Sequence, residues 1–171
     1  NKVQARALAA QSDVPMVPAT GMLPSDDGEV QRLAADVGYP VMLKASWGGG
    51  GRGMRLIREE TELLEQVASG RRESKAAFGN DEVFLEKFVD GARHVEVQVL
   101  GDLHGTIVHL FERDCSLQRR NQKVIERAPA AYLTDQQRKD LTAAALRLAQ
   151  KVGYACAGTV EFLMDPKTGE F

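Results

Sequence analysis

Between two apolar runs, Val41-Met42-Leu43-Lys44-Ala45 and Met54-Arg55-Leu56-Ile57, lies a loop in which five of the six residues 48–53 are glycine. Such backbone adopts φ > 0 without steric cost and can come close to a ligand. Successive unhindered N–H groups can also form a concavity that holds an anion. Lys44 ahead of the loop and Arg52 within it add positive charge, which suits phosphate. Gly48, Gly50 and Gly53 satisfy G-x-G-x-x-G, but the dinucleotide fingerprint needs a helix directly behind the loop, and a strand-like segment follows instead. Nor is this a P-loop, since Met54-Arg55 stands where Lys and Ser or Thr are required. What remains is a β-hairpin whose glycine tip closes over polyphosphate as a flap. A glycine run alone fits a plain exposed hairpin tip equally well. Lys44 separates the two readings, because a lysine inside an apolar strand is costly without an anionic partner.

Two further stretches can carry chemistry. Gln118-Arg119-Arg120-Asn121-Gln122-Lys123 contains three cations among six polar residues. It reads either as a solvated loop or, following the acidic Glu112-Arg113-Asp114, as a positive pocket for a small anion. Glu161 stands among apolar neighbours in Gly158-Thr159-Val160-Glu161-Phe162-Leu163-Met164, where a carboxylate is expensive unless a cation holds it; this favours a metal ligand. His104 and His109 have no partners at metal-ligand spacing and read as turn and strand residues. Cys115 and Cys156 form no C-x-x-C pair and read as small core residues of a reducing compartment.

The elements that must position these groups follow from periodicity. Residues 2–12 read as a helix with Val3, Ala7 and Ala10 on one face, stopping before Pro15. Residues 27–37 form a second helix that ends at Gly38. The glycine hairpin is followed by a helix over 58–69 and a charged run, 71–75, that reads as a solvated helical face or connection. From residue 83 the period becomes two. Strands are expected over 83–89, 93–100 and 106–111, with Val95, Val97 and Val99 facing one way and His94, Glu96 and Gln98 the other. Thr134 to Gln137 has capping-box spacing and opens a long helix through Lys151, and residues 158–164 make a last strand.

The 171 residues suffice for one or two small domains with a real core. With 43% hydrophobic and 27% charged residues the chain has an ordinary globular composition, and its net charge of −2 argues against a general nucleic-acid binder. No apolar run approaches the ~20 residues needed to span a bilayer, and no signal peptide is visible, so a cytoplasmic location is expected. The helical opening at Asn1 and the strand-like ending at Phe171 lead us to expect a segment of something longer.

Taken together, Lys44-Ala45-Ser46-Trp47 with the glycine loop, Glu86-Lys87-Phe88, Arg93-His94-Val95-Glu96-Val97-Gln98, Glu112-Arg113-Asp114-Cys115-Ser116, Gln118-Arg119-Arg120-Asn121-Gln122-Lys123-Val124 and Gly158-Thr159-Val160-Glu161-Phe162 resemble the biotin carboxylase family of ATP-grasp enzymes. The blocks occur in order over essentially the whole chain. The resemblance implies an α+β fold: residues 1–19 as the tail of a preceding domain, residues 20–89 as a glycine-hairpin lid subdomain, and residues 90–171 as the first part of an antiparallel-sheet C-terminal subdomain.

The same resemblance implies a ligase that uses ATP with Mg2+ or Mn2+, phosphorylates bicarbonate to carboxyphosphate, and passes the CO2 unit to biotin on a biotinylated carrier domain. Lys2 and Lys44 would hold ATP phosphates and Gly50 with Gly51 would close over them. Glu86, Lys87, Phe88 and Val89 would meet the adenine edge and nucleotide; His94 and Asn121 would lie along it. Lys123 would be the catalytic cation facing bicarbonate or the transferred phosphoryl group, and Glu161 would bind the metal. Many relatives carry His where Asn121 stands, which retains a hydrogen bond but removes a titratable group. A full-length homo-oligomer and an inactive isolated segment are expected. Two alternatives stay open: another ATP-grasp ligase of the carbamoyl-phosphate-synthase kind, against which the Arg-Arg-Asn-Gln-Lys block weighs, and a non-catalytic nucleotide-binding module.

Overall fold

The computed structural model describes residues 1–47 and 54–171. The chain divides into two compact units, residues 1–5 with 17–88 and residues 6–16 with 89–171. The first helix, α1 (Lys2–Ala10), buries only Ala9, so the expected stripe of Val3, Ala7 and Ala10 is not its packed face.

In the first unit, α2 (Asp27–Val37) begins where the Asp26 carboxylate accepts from the Glu29 N–H at 2.7 Å, and it ends at Gly38 with φ 80°. β1 (Val41–Ala45), β2 (Arg55–Ile57) and β3 (Val83–Lys87) form an antiparallel sheet in the order β2-β1-β3. The two runs flanking the glycines therefore pair as a hairpin. Val41 and Leu43 point into a core with Val30 and Ala34 of α2, Leu63 and Val67 of α3 (Glu60–Phe78), and Ile57 and Leu85. Full burial of each large aliphatic side chain is worth about 1.5–3 kcal/mol. At Gly70 the helix approaches β1 so closely that a Cβ would lie 2.5 Å from Leu43 Cδ2. α3 runs well past residue 69 because its charged turn is anchored: Arg71 donates to the Leu23 carbonyl at 3.0 Å, and Glu73 pairs with Arg55.

The second unit has the antiparallel order β6-β5-β4-β7, built from β4 (Arg93–Gly101), β5 (Ile107–Arg119), β6 (Gln122–Arg127) and β7 (Ala157–Met164). Val95, Val97 and Val99 pack on Leu141, Ala144 and Ala145 of α4 (Asp135–Lys151), together with Phe162 and Met164. α4 opens with the expected capping box between Thr134 and Gln137 and buries Leu141, Ala144, Ala145 and Ala149.

β5 continues eight residues beyond the expected end at Phe111, to Arg119. The register against β4 shifts between Val97 and Val99, and Phe111 sits at φ 61°. This is a bulge, one extra residue on β5 that reverses which side chains face which way. Continuing the His109 register without it would set Glu112 opposite Glu96. With it, Arg113 stands opposite Glu96, and Glu112 turns into the core against α4. A like-charge cross-strand pair is thereby replaced by an opposite-charge one.

Candidate functional site

In the first unit, β1 and β3 bring Lys44 and Glu86 together on the sheet face opposite the core. Met42 lies across from Glu86 and Lys44 across from Phe84, so Lys44 and Glu86 are diagonal neighbours. Lys44 Nζ donates to Glu86 Oε1, and Glu86 is only 7% exposed. The anionic partner that Lys44 requires is thus present within the fold. Lys2 Nζ donates to the Ala45 carbonyl at 3.1 Å. Its pKa is lowered, first by desolvation at that strand end and then by the Lys44 charge. An ammonium held in a desolvated spot beside a second cation marks a place where an anion is favoured.

The segment after Glu86 is tied to its surroundings. Lys87 Nζ donates to the Gly38 and Tyr39 carbonyls, both at 2.8 Å, at the C-terminal end of α2, where a cation also meets the helix dipole. The Lys87 N–H binds the Pro18 carbonyl at 2.7 Å and the Phe88 N–H binds Pro40 at 3.1 Å. Gly50, Gly51 and Arg52 lie outside the described residues. Val89 belongs to the second unit.

In the second unit, His94, Glu96 and Gln98 occupy the β4 face away from the valine core. Glu161 on β7 and Arg113 on β5 flank Glu96 on either side, giving a row across three strands. Arg113 bonds Glu96 through Nε at 2.7 Å and through Nη2, and donates from Nη1 to Gln98 Oε1 at 2.9 Å. Gln98 is anchored in turn to the Gly158 carbonyl at 2.8 Å. Lys123 Nζ reaches both Glu96 and, at 2.7 Å, Glu161. Adjacent strands are about 4.8 Å apart. A β6 lysine can meet β4 and β7 only if the end of the β5–β6 hairpin curls over this face, and register shifts near Leu117 supply the bend. Neither Glu96 nor Arg113 was assigned a role from the sequence. The alternation that set Glu96 beside His94 was the available signal for the first; Arg113 had none.

Burial opposes ionisation of Glu96, but the bonds from Lys123 and Arg113 outweigh it and hold its pKa below the ordinary 4.5. A depressed carboxylate pKa stabilises the fold above the unfolded value, and that contribution is lost as pH falls through the lower folded value. Burial likewise opposes the Lys123 ammonium, yet Glu161 and Glu96 raise its pKa, so its contribution is full below 10.5 and fades only in stronger alkali. Thermal unfolding followed downward from neutral pH is expected to show a fall in Tm below about 4.5 that is shallower in Glu96→Gln. Identical acid limbs would show that Glu96 is not linked to stability.

Asn121 and Arg120 have φ of 62° and 51° and form the two-residue turn joining β5 to β6. Both central residues of a type I′ turn need positive φ, which Asn tolerates and β-branched residues do not. The run from Gln118 to Lys123 is therefore a hairpin tip rather than an irregular loop. Asn121→Val is expected to cost about 1–2 kcal/mol while Asn121→Gly costs little, as read by urea unfolding. Equal stability of the two variants would show that the turn does not depend on this backbone conformation. His94 donates its backbone N–H to Ser116 Oγ at 3.1 Å, and Ser116 Oγ in turn bonds Asp114 at 2.5 Å.

The Glu161 side chain is 57% exposed on a regular strand. It fits a hard divalent cation, which takes carboxylate oxygen readily. Glu96 does not, because its side chain is 4% exposed and already holds two cations. Among the described residues, Glu96, Cys115 and Glu126 place donor atoms within 4.8 Å of one another. There the thiol pKa is pushed up to about 11, by burial first and the Glu96 charge second, which disfavours the thiolate a metal requires. Cys115 is the buried core cysteine expected. Cys156 is exposed, correcting the expectation for it.

The fold is a mixture of helices and antiparallel sheets, as in the ATP-grasp domains of biotin carboxylases. The chain belongs to the family described as carbamoyl-phosphate synthase L chain, ATP binding domain, whose model matches residues 1–171. It is 50% identical over 165 residues to human mitochondrial pyruvate carboxylase, covering 96% of this chain and 14% of that protein. Pyruvate carboxylase of Rhizobium etli, solved with the allosteric activator acetyl coenzyme-A, is 62% identical with a TM-score of 0.94, over 100% of this chain and 15% of that one. The biotin carboxylase domain dimer of Hydrogenobacter thermophilus 2-oxoglutarate carboxylase, in complex with MgADP, ADP and bicarbonate, is 43% identical with a TM-score of 0.94, over 100% and 38%. The resemblance to biotin carboxylases is borne out. The chain spans only 14% of the length of the human relative. Among the described residues, no helix is long and apolar enough to cross a membrane.

Proposed function

We propose that this chain is the ATP-binding part of a biotin carboxylase. In the full-length protein it would bind MgATP, support phosphorylation of bicarbonate to carboxyphosphate, and serve carboxylation of biotin on a carrier domain. One observation carries this reading: Lys123, a cation on a curled hairpin, is held over a sheet face beside the metal-competent Glu161. A bicarbonate oxygen attacks the γ-phosphorus, the bond to the β-bridging oxygen breaks, and ADP leaves. Carboxyphosphate then yields phosphate and CO2; the ureido nitrogen of biotin forms its new bond to the CO2 carbon as its N–H proton passes to the released phosphate. Little covalent work falls to the protein; it must place charge where charge develops.

In this reading Lys2 and Lys44 hold the phosphates, with Gly50 and Gly51 closing over them. Glu86 to Val89 face the adenine edge and nucleotide, and His94 and Asn121 lie along it. Lys123 meets bicarbonate or the phosphoryl group in transit. Glu161 would hold Mg2+ or Mn2+, which supplies charge neutralisation when bound. Residues 20–89 would act as the lid and residues 90–171 as the first part of the C-terminal subdomain, with 1–19 as the tail of a preceding domain. The 62% identity to the Rhizobium etli enzyme supports pyruvate as the final acceptor, reached through other domains. A cytoplasmic homo-oligomer is the assembly we propose for the whole protein.

The family's description favours one second reading, a carbamoyl-phosphate-synthase-like ligase that shares carboxyphosphate chemistry. Phosphate release by the full-length protein, measured with MgATP and bicarbonate and with either free biotin or ammonia added, separates the two. Stimulation by biotin alone is expected; stimulation by ammonia alone would overturn the assignment.

A further inference from the structure

We propose that Arg113 is a positioning residue whose charge on the buried Glu96 leaves Lys123 free to depart for substrate. This rests on the proposed role of Lys123. Glu96 lies deep in the sheet face, and a carboxylate so buried cannot stay ionised without a cation. It has two, Arg113 and Lys123. The guanidinium is the fixed one. It sits directly opposite Glu96 across the β4–β5 ladder, engages it through two nitrogens, and has a third on Gln98, itself bonded to the Gly158 carbonyl. Lys123 contributes one flexible ammonium shared between Glu96 and the exposed Glu161. With Arg113 present, Lys123 can leave without stranding a buried charge. Without Arg113, Lys123 becomes the sole cation on Glu96 and is trapped there. The β5 bulge at Phe111 creates this division of labour, since only with the extra residue does Arg113 face Glu96.

A positioning role of this kind predicts rescue by a second change, which a purely structural role does not. In the full-length protein, Arg113→Met is expected to lower kcat for bicarbonate-dependent ATP cleavage by about a hundredfold with KM for ATP nearly unchanged. Adding Glu96→Gln to Arg113→Met removes the trap and should recover at least about tenfold of the lost kcat. Acylation of Lys123 by an amine-reactive reagent, read by peptide mass spectrometry without substrates, should fall in Arg113→Met and return in the double variant. A double variant no faster than Arg113→Met, or unchanged labelling of Lys123, overturns the proposal, as does normal kcat in Arg113→Met. Lys123→Gln is the separate control: if it keeps its kcat, the functional reading of Lys123 fails, and the labelling result still decides whether Arg113 governs its release.

Discussion

Lys44→Ala is expected to lower kcat/KM for ATP by about two orders of magnitude or more in the full-length protein, the scale for losing one preorganised charge at a phosphoryl group. Lys44 occupies the face of β1 away from the core, pairs with Glu86, and lies close enough to Lys2 to depress the Lys2 pKa. Two cations converging there gain most when a polyphosphate arrives. Part of the effect of Lys44→Ala would be structural, because Glu86 is nearly buried and loses its Lys44 contact. Lys44→Arg separates the contributions. A guanidinium can keep the ion pair and the fold, yet its planar fork differs from a compact ammonium at a phosphate. Near-normal Tm with incomplete recovery of kcat/KM is therefore expected for Lys44→Arg. Unchanged kinetics in Lys44→Ala would reduce Lys44 to the structural partner of Glu86.

Arg138→Met is expected to be the most destabilising single change in the second unit, at about 3–5 kcal/mol. The Glu112 side chain is fully buried, with Arg138 Nε at 3.0 Å and the Ala130 N–H at 3.1 Å on the same oxygen. Its other oxygen, Oε2, has no hydrogen-bond partner among the described residues. Removing the guanidinium leaves a buried charge with one backbone donor. Replacing both partners with Met and Leu should be far milder, because no charge remains to be desolvated. Native-state hydrogen exchange of α4 and β5 amides measures this as lost protection. A loss below about 1 kcal/mol in Arg138→Met would show that the fold does not depend on the Arg138–Glu112 pair.

The elements with local punctuation were legible in the sequence. α2 was placed by its periodic face and Gly38, and α4 by the Thr134 capping box, signals that act within one turn of helix. The strict alternation from Arg93 to Leu100 marked both faces of β4, because one face packs on α4 and the other is polar. β5 was cut short for the opposite reason: its bulge places a phenylalanine at positive φ, where no glycine marks the site, and reverses the alternation midway. β6 is exposed along its whole length, so it carries no buried period to detect, and its turn uses Arg120-Asn121 rather than a glycine pair. Of the candidate site, Lys2 and Lys123 drew their roles only from the family resemblance, whereas Lys44 and Glu161 stood out as charges in apolar strands. Their partners could not, because pairing Lys123 with Glu96 and Glu161 depends on the curl of a hairpin that only tertiary structure fixes.

Transfer of a bicarbonate oxygen to phosphate tests the proposed chemistry most directly. The full-length protein would be given MgATP, free biotin and bicarbonate labelled with heavy oxygen, and the released phosphate analysed by mass. Attack of bicarbonate on the γ-phosphorus leaves one bicarbonate oxygen on each phosphate, and that label should disappear together with turnover in Lys123→Gln. Unlabelled phosphate, formed at the full rate of ATP cleavage, would contradict carboxyphosphate formation and with it the role assigned to this site.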